Sequence, residues 1–540
     1  MSKVVIFGID GGSLELIEQW KDELPSFQQI MENGVYGELE STIPPLTCPA
    51  WPCMFTGKNP GEIGMYGFSG LQFGDRYGSR MYSSSDYHSS SLWKSLNDYG
   101  KDVALLNVAM TFPPHKINSC MVCGVGSPPA SEAGYTYPPE LSQTLDKVVG
   151  GYEIIPPVLL TIRGKEEEIA QAFDRVLTKR VKAASYLMRN FSWDLFVCIF
   201  FASDSIQHYF WHHMDASHPR HDSNNKYKNV IKAFYKKIDN AIGTLVAELP
   251  QDTNLVIVSD HGFGPMPGYF IVNKWLENNG FLKFKDRVHQ GRTNSVLRKV
   301  RDFLMSHLNP KSVRLISRLI PEWLAMRLSV RQEQKEKMTQ TYESVDWPQS
   351  KAYAMGVVSS IFINLKGREP NGIVEPGEEY ERIRDDIIAG LKKVTDPQTG
   401  APVGFQIFKR EEVYHGRYVD LAPDILIVPH KYHPSSFKAD SEWSIPALSG
   451  GHARQGLFMA YGPDIKNTGD KLANLKIYDI TPTILHMFGL PIPDDIDGRV
   501  LTEIFDKDSQ LARRQVVFSR VAEKHLINKK IAALKKIGRI

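Results

Sequence analysis

Cysteine is scarce. The chain has five (Cys48, Cys53, Cys120, Cys123 and Cys198) in 540 residues. That is too few for a disulfide framework and suits a reducing compartment. An excess of one charge is also missing. Lys and Arg number 64 against 61 Asp and Glu, a net +3, too weak a bias to argue for a nucleic-acid partner. No apolar run approaches the roughly 18 residues that would suggest a membrane span, so no transmembrane helix is expected. The first strand pattern begins at about Lys3, which leaves no room for a charged leader and a signal h-region. Secretion is therefore not expected, and the cytoplasm is the expected location. Internal repeats and low-complexity stretches are absent. What remains is an ordinary globular composition, 42% hydrophobic and 23% charged, long enough for a large core with inserted subdomains.

Short apolar runs alternate with helical patterns through the first half. Strands are expected at Val4–Ile9, Val103–Asn107, Leu195–Phe201 and Leu255–Val258. Helices are expected at about Leu14–Glu23, Glu166–Arg189 and Tyr227–Leu249. This rhythm predicts an α/β fold, a three-layer sandwich with a mostly parallel central sheet. It breaks between about Leu282 and Gln349, where strand patterns vanish and basic residues gather, among them Arg298, Lys299 and Arg301. Val296, Val300, Phe303 and Leu304 recur there at helical spacing, so a helical insertion is expected. A solvated helix face is the simpler account of its charge; a basic cap that draws in an anionic substrate is the other. Alternation resumes at Ser360–Leu365, Gly377–Lys393, Asp424–Pro429 and Leu457–Tyr461. The boundaries read as 1–281 and 350–505 for two parts of one α/β domain, 282–349 for the basic insertion, and 506–540 for a basic amphipathic C-terminal helix. That helix is expected to dock on its own domain; contact with a membrane surface is the less favoured alternative. Cys120-Met-Val-Cys123 lies in a strand-like stretch and reads as packing rather than as a redox or zinc motif.

Several strings carry chemistry. Val4-Val-Ile-Phe-Gly-Ile-Asp10-Gly-Gly puts an Asp at the end of an apolar run. Phe201-Ala-Ser-Asp204-Ser-Ile-Gln-His208 and Val258-Ser-Asp260-His261-Gly pair an Asp with a His in the same setting. Ser449-Gly-Gly-His452 adds a histidine in an expected glycine-rich turn, and Thr47 stands just before Cys48-Pro49. Ligands of open α/β sheets bind at the carboxyl ends of strands. Carboxylate plus imidazole is the donor chemistry of zinc or manganese sites. Each piece has a plainer reading alone: Asp10 as a helix cap, Thr47 as a turn residue. Cys48 is a rival nucleophile, and the run His208, His212, His213, His218, His221 offers a rival ligand set, disfavoured because it drifts into a polar loop at Pro219.

Taken in order, Asp10, Thr47-Cys-Pro, Asp204 with His208, Asp260-His261-Gly and His452 resemble the alkaline phosphatase superfamily. Within it the chain is similar to the type I phosphodiesterase/nucleotide pyrophosphatase branch and its phosphohydrolase and phosphomutase-like relatives. Thr56-Gly-Lys-Asn-Pro-Gly61, Ser259-Asp-His-Gly-Phe-Gly-Pro-Met266 and Asp479-Ile-Thr-Pro-Thr483 extend the likeness from near residue 3 to about residue 505. The resemblance implies an alkaline-phosphatase-like fold holding two divalent metal ions, zinc by preference and manganese second. One ion would be held by Asp204, His208 and His452. The other would be held by Asp10, Asp260 and His261, with the Thr47 oxygen completing its shell. Thr47 would be the nucleophile toward a small anionic phosphorylated substrate, a phosphodiester or phosphomonoester, through a phosphothreonine intermediate. A phosphomutase is the first alternative and a non-catalytic metal-binding role another. A sulfatase is disfavoured because Cys48-Pro-Ala lacks the C-x-P-x-R arrangement. One departure stands out: Ile63-Gly-Met-Tyr-Gly-Phe68 lacks the asparagine that helps nucleotide pyrophosphatases hold the phosphoryl group. Nucleotide specificity is therefore not inherited from the resemblance.

Overall fold

The structure is a computed structural model that describes residues 3–520 except 74–76, 87–90, 129, 131–133, 157–165, 286–340, 356–359 and 446–447. Nine strands build the central sheet: β1 (Lys3–Ile9), β2 (Val35–Glu40), β3 (Val103–Val108), β4 (Cys120–Cys123), β5 (Thr136–Tyr137), β6 (Leu195–Phe200), β7 (Thr253–Val258), β8 (Gln455–Tyr461) and β9 (Asp470–Lys476). Their order is β9-β2-β8-β7-β1-β6-β3-β4-β5. β1 runs parallel to both β6 and β7, β3 is parallel to β6 and β4, and β2 is parallel to β9. Only β8 and β5 run against their neighbours. The mostly parallel α/β sheet expected from the alternation is thus present. β3, β6 and β7 are buried along their whole length, as strands apolar on both faces require.

The helices include α1 (Leu14–Trp20), α2 (Thr47–Thr56), α3 (Glu166–Asn190), α4 (Ala202–Met214), α5 (Val230–Val246) and α6 (Ile480–Met487). Five of these pack in two groups, α3 with α4 and α5, and α2 with α6 and the helix Leu92–Asp98. Cys120 and Cys123 are buried in β4 as free thiols, in agreement with packing.

The strands expected at Ser360–Leu365 and Asp424–Pro429 form at Ser360–Ile363 and Ile425–Val428 but do not join the main sheet. They pair with Ala352–Met355 and Gln406–Lys409 in a separate antiparallel sheet. A second core forms over it from Trp275, Trp347, Tyr353, Phe362, Ile387 and Phe405. The basic insertion, with Arg298, Lys299 and Arg301, lies almost wholly outside the described residues. A continuous helix from residue 506 does not form in the described part of the tail. Gln510–Arg513 makes one turn, and Phe518–Ser519 then pairs with Ile492–Pro493. Residues 521–540 lie outside the described residues. Among the described residues no helix is long and apolar enough to cross a membrane.

Candidate metal centre and nucleophile

Strand register sets the site. Gly8 of β1 aligns with Ile199 of β6 and with Val258 of β7. Three neighbouring parallel strands therefore end at one level, and the residues just beyond them share one edge. Asp10 is the first residue after β1, and its amide donates to Phe200 O at 3.1 Å. Asp260 lies two residues past Val258. Gly11 turns the chain with φ +65, and a Cβ there would lie 2.9 Å from Phe263. The turn is pinned from three sides: Gly11 N donates to Asp260 Oδ1 at 3.1 Å, Gly12 N to Ser259 Oγ at 2.9 Å, and Gln207 Nε2 to Gly11 O at 2.8 Å.

Two expectations about local structure are corrected. Asp204 does not end a strand. β6 stops at Phe200, and Asp204 sits in the first turn of α4 with His208 one turn on. A carboxylate is favoured there by the helix dipole, and the i,i+4 spacing puts both side chains on one face. His452 is not in a turn but on the strand Gly450–Ala453, paired antiparallel with Gly262–Pro265 so that it faces Phe263. Gly450 permits this approach, because a Cβ there would lie 2.4 Å from Gln207 O. Thr47 opens α2, while Cys48 keeps an extended backbone (φ −113, ψ 113), as a residue before proline prefers.

Asp204, His208 and His452 bring ligand atoms within 4.8 Å of one another, and so do Asp10, Asp260 and His261. In the first group His208 Nδ1 donates to Gly450 O at 2.7 Å and His452 Nδ1 to Pro45 O at 3.0 Å. A carbonyl can only accept, so both Nε2 atoms carry lone pairs unless the ring is charged. These Nε2 atoms face each other at 3.1 Å and stand 3.4 and 3.2 Å from Asp204 Oδ1. Lone pairs turned on each other with a carboxylate between them require a proton or a cation. In the second group His261 Nδ1 donates to Gly262 O at 3.0 Å, which aims Nε2 at Asp260 Oδ2 (3.3 Å) and Asp10 Oδ1 (3.7 Å). Trp51 Nε1 donates to Asp10 Oδ2 at 2.9 Å, and Thr47 Oγ1 donates to Asp10 Oδ1 at 3.4 Å. The rings of His261 and His452 stack at 3.9 Å, so the two groups adjoin.

The electrostatics make the donor set costly without a cation. Burial lifts the Asp10 carboxyl well above its usual range, and Asp260 and Asp204 push it the same way. Burial likewise lifts Asp260. Burial drives His261 well below the ordinary imidazole value, with His452 adding to it. Burial alone would raise Asp204 too, but His208 and His452 outweigh it and hold Asp204 low. Burial works against a charge on His208, yet Asp204 raises it, while burial lowers His452. One proton shared by that trio is the metal-free solution. The ligand oxygens of Asp10 and Asp260 lie within 4.8 Å of each other, so if both were ionised they would repel by at least about 3.5 kcal/mol at an effective dielectric near 20. Asp204 Oδ1, Asp260 Oδ2 and His261 Nε2 are buried without any hydrogen-bond partner among the described residues. Orphaned acceptors around two carboxylate–imidazole groups, with outer carbonyls fixing the tautomers, fit divalent metal ions.

Residues 4–442 match the type I phosphodiesterase / nucleotide pyrophosphatase family. The chain belongs to that family. No curated protein matches it in sequence. Human ectonucleotide pyrophosphatase / phosphodiesterase 5 is similar in structure at 14% identity, covering 93% of this chain and 100% of its own, with a TM-score of 0.50. The murine protein of that name, inactive and in complex with AMP, matches at 13% identity over 94% of this chain and 100% of its own, TM-score 0.50. At such identity the likeness speaks for a shared fold, the alkaline-phosphatase-like one, and the family match speaks for a phosphodiesterase/pyrophosphatase hydrolase with two candidate metal sites.

Cys48 is fully buried and donates to Gly67 O at 2.8 Å, and burial holds its thiol protonated. Of the other four histidines in the His208–His221 run, three serve the backbone or Ser449, while both ring nitrogens of His213 are buried without a hydrogen-bond partner among the described residues. His212 Nδ1 meets Ser449 Oγ at 2.9 Å, His218 Nε2 meets Met266 O at 3.2 Å, and His221 Nδ1 meets His212 O at 3.1 Å. Sequence reasoning missed the supporting residues. Trp51 stands four residues after Thr47, but the extended Cys48 between them breaks the helical register, so the spacing alone did not reveal it. Phe263, edge-on to His208 at 4.8 Å, directly follows the Asp260-His261-Gly string. The Pro45 and Gly450 carbonyls have no sequence signature.

Proposed function

We propose that this chain is a two-metal phosphoryl-transfer hydrolase that cleaves a phosphodiester or phosphomonoester with Thr47 as nucleophile. One observation carries the reading. The Thr47 hydroxyl lies 3.4 Å from Asp10 Oδ1, a member of one of two adjoining carboxylate–imidazole groups that hold orphaned acceptors. Asp204, His208 and His452 would hold one divalent ion; Asp10, Asp260, His261 and the Thr47 oxygen would hold the other. When bound, the ions supply neutralisation of phosphoryl charge and a lowered pKa for the threonine hydroxyl. Zinc is the preferred metal and manganese the second choice, since oxygen and nitrogen donors suit both.

The chain's own groups do the rest. Thr47 Oγ attacks phosphorus, the bond to the leaving alcohol oxygen breaks, and phosphothreonine forms. Water then cleaves the phosphothreonine and restores the hydroxyl. Asp10 accepts the Thr47 hydrogen bond and fixes the direction of the oxygen, and Trp51 in turn fixes Asp10. The AMP complex of the murine relative supports a small phosphorylated substrate.

The test is Thr47→Ala. Turnover of nitrophenyl mono- and diesters should be lost, while the fold and at least the ion at Asp204, His208 and His452 are retained. Activity at the parent level in a folded, metal-loaded variant would end the assignment of Thr47. Release of free alcohol from a simple ester separates a hydrolase from a phosphomutase, which must keep its product.

A further inference from the structure

The helix that carries Asp204 and His208 bears a second pair at the same spacing. Ser203 and Gln207 each stand one residue before a metal-binding candidate, and both are buried, at 1% and 0% exposure. Four residues apart on α4, they share one face. That face meets the turn after β1. Ser203 Oγ donates to Asp10 O at 2.7 Å, with Phe200 O a longer alternative at 3.1 Å. Gln207 Nε2 donates to Gly11 O at 2.8 Å. Two consecutive carbonyls of the turn are therefore bolted to α4. The same turn carries Asp10, and through Gly11 N it holds Asp260 Oδ1 at 3.1 Å. One candidate metal group is thus tied to the helix that supplies Asp204 and His208 to the other.

The Gln207 bolt is directional. Its Nε2 faces two carbonyls, Gly11 O and, at 3.2 Å, Ser203 O. Carbonyls only accept, which settles which end of the amide is the nitrogen. Oε1 points the other way and accepts from the Tyr235 hydroxyl of α5 at 3.2 Å. The Tyr235 oxygen accepts from Ser13 N at 3.0 Å, which leaves its single proton for Gln207. Burial keeps that hydroxyl protonated. Tyr235 is 1% exposed and packs edge-on against Trp20 at 5.5 Å. Apolar side chains could pack this joint as well, because a buried, satisfied amide adds little net stability. What the amide and the hydroxyl add is a set length, since hydrogen bonds hold only over a narrow range of distance.

We infer that Ser203 and Gln207, with Tyr235 behind them, are positioning residues that set the spacing between the two metal positions. The inference rests on the two-metal reading above. In-line displacement needs the attacking and leaving oxygens held by separate cations, so this spacing decides how well a phosphoryl group bridges both. Being buried, the three residues act through Asp10, Asp204 and His208 rather than on substrate.

The experiment uses the full chain with both positions loaded, and inorganic phosphate as the probe. Ser203→Ala, Gln207→Met and Tyr235→Phe should each keep the parent's metal content by elemental analysis. Phosphate affinity, read by calorimetry, should fall about tenfold in Gln207→Met and about threefold in the other two, because small misplacements of reacting groups are costly. With manganese at both positions, the parent should give a spin-coupled EPR spectrum, and the coupling should change in the variants. A lower Tm with phosphate affinity and coupling as in the parent would mark a merely structural role and overturn the inference. Loss of metal from the variants would overturn it too, as would phosphate binding equal in parent and variants, absent binding included. If Gln207→Met does not fold, Ser203→Ala and Tyr235→Phe, which each remove a single hydroxyl, decide. If the parent hydrolyses no ester while phosphate affinity and coupling still depend on these residues, the hydrolase reading fails and the spacing inference holds.

Discussion

Trp51 offers the sharpest probe of how the centre is held. Trp51→Phe keeps an aromatic ring in the core but removes the N–H that Asp10 Oδ2 accepts at 2.9 Å. A hydrogen bond to a charged group is worth about 1.5–3 kcal/mol. Asp10 is already hard to ionise because it is buried beside Asp260 and Asp204. Losing its donor makes ionisation harder still, and a metal at Asp10, Asp260 and His261 needs the ionised form. At about 1.36 kcal/mol per tenfold, affinity at that position should fall about 10–150-fold. The other position should be unaffected, because its histidines are oriented by Gly450 O and Pro45 O instead. A second effect runs in parallel. Trp51 is fully buried and stacks on Phe55 at 6.0 Å, so truncation should also cost about 1–3 kcal/mol of fold stability with or without metal. The two effects separate in one design: stepwise metal titration against a competing chelator, alongside Tm of metal-free and metal-loaded protein. The expected result is one weakened site of two and a Tm loss present in both forms. Equal weakening of both sites, or a Tm loss with unchanged affinities, would refute the reasoning.

Elemental analysis should give close to two metals per chain in the parent; Asp204→Asn should empty mainly one position and Asp260→Asn mainly the other, and a shared single loss would defeat the two-site division. Asp10 and Asp260 have raised pKa values in the metal-free fold, so the folded state holds protons that the unfolded chain has released. Stability of the metal-free protein should therefore fall as pH rises from below the ordinary carboxylate pKa toward neutrality. Added metal should restore more stability at higher pH, and thermal melts across that range would expose the opposite trend if the sign is wrong. Gly11→Ala places a Cβ 2.9 Å from Phe263 at φ +65 and should cost about 1–3 kcal/mol while weakening metal at Asp260, read by denaturation and by metal titration.

The parts of this architecture legible in the sequence are those written in short windows. An apolar run followed by Asp10, or by Asp260-His261, announces a strand and what stands at its end. Asp204 and His208 were legible as a pair but not as neighbours on one helix face, because the apolar run through Phe201 hid the early start of α4 and made Asp204 read as a strand end. His452 was visible as a residue but not as part of a strand, because its partner is Phe263, far away along the chain. The separate sheet around Tyr353 and Ile427 was invisible for the same reason: a buried four-residue strand carries no mark of which sheet it joins. The orienting carbonyls of Pro45 and Gly450 are backbone atoms, present at every position, and only the fold selects them.

The place of β8 has a consequence for synthesis. This strand comes from residues 455–461 yet lies inside the sheet, between β7 and β2. A nascent chain that has emerged only through Gly262 already contains Asp10, Asp260 and His261. It cannot close its sheet, and it lacks His452, until roughly two hundred further residues have left the ribosome. Until then β7 and β2 present open edges, which invite pairing with other chains. A cell making this protein has to shield those edges during translation, and truncations before Tyr461 should aggregate rather than yield a smaller active hydrolase.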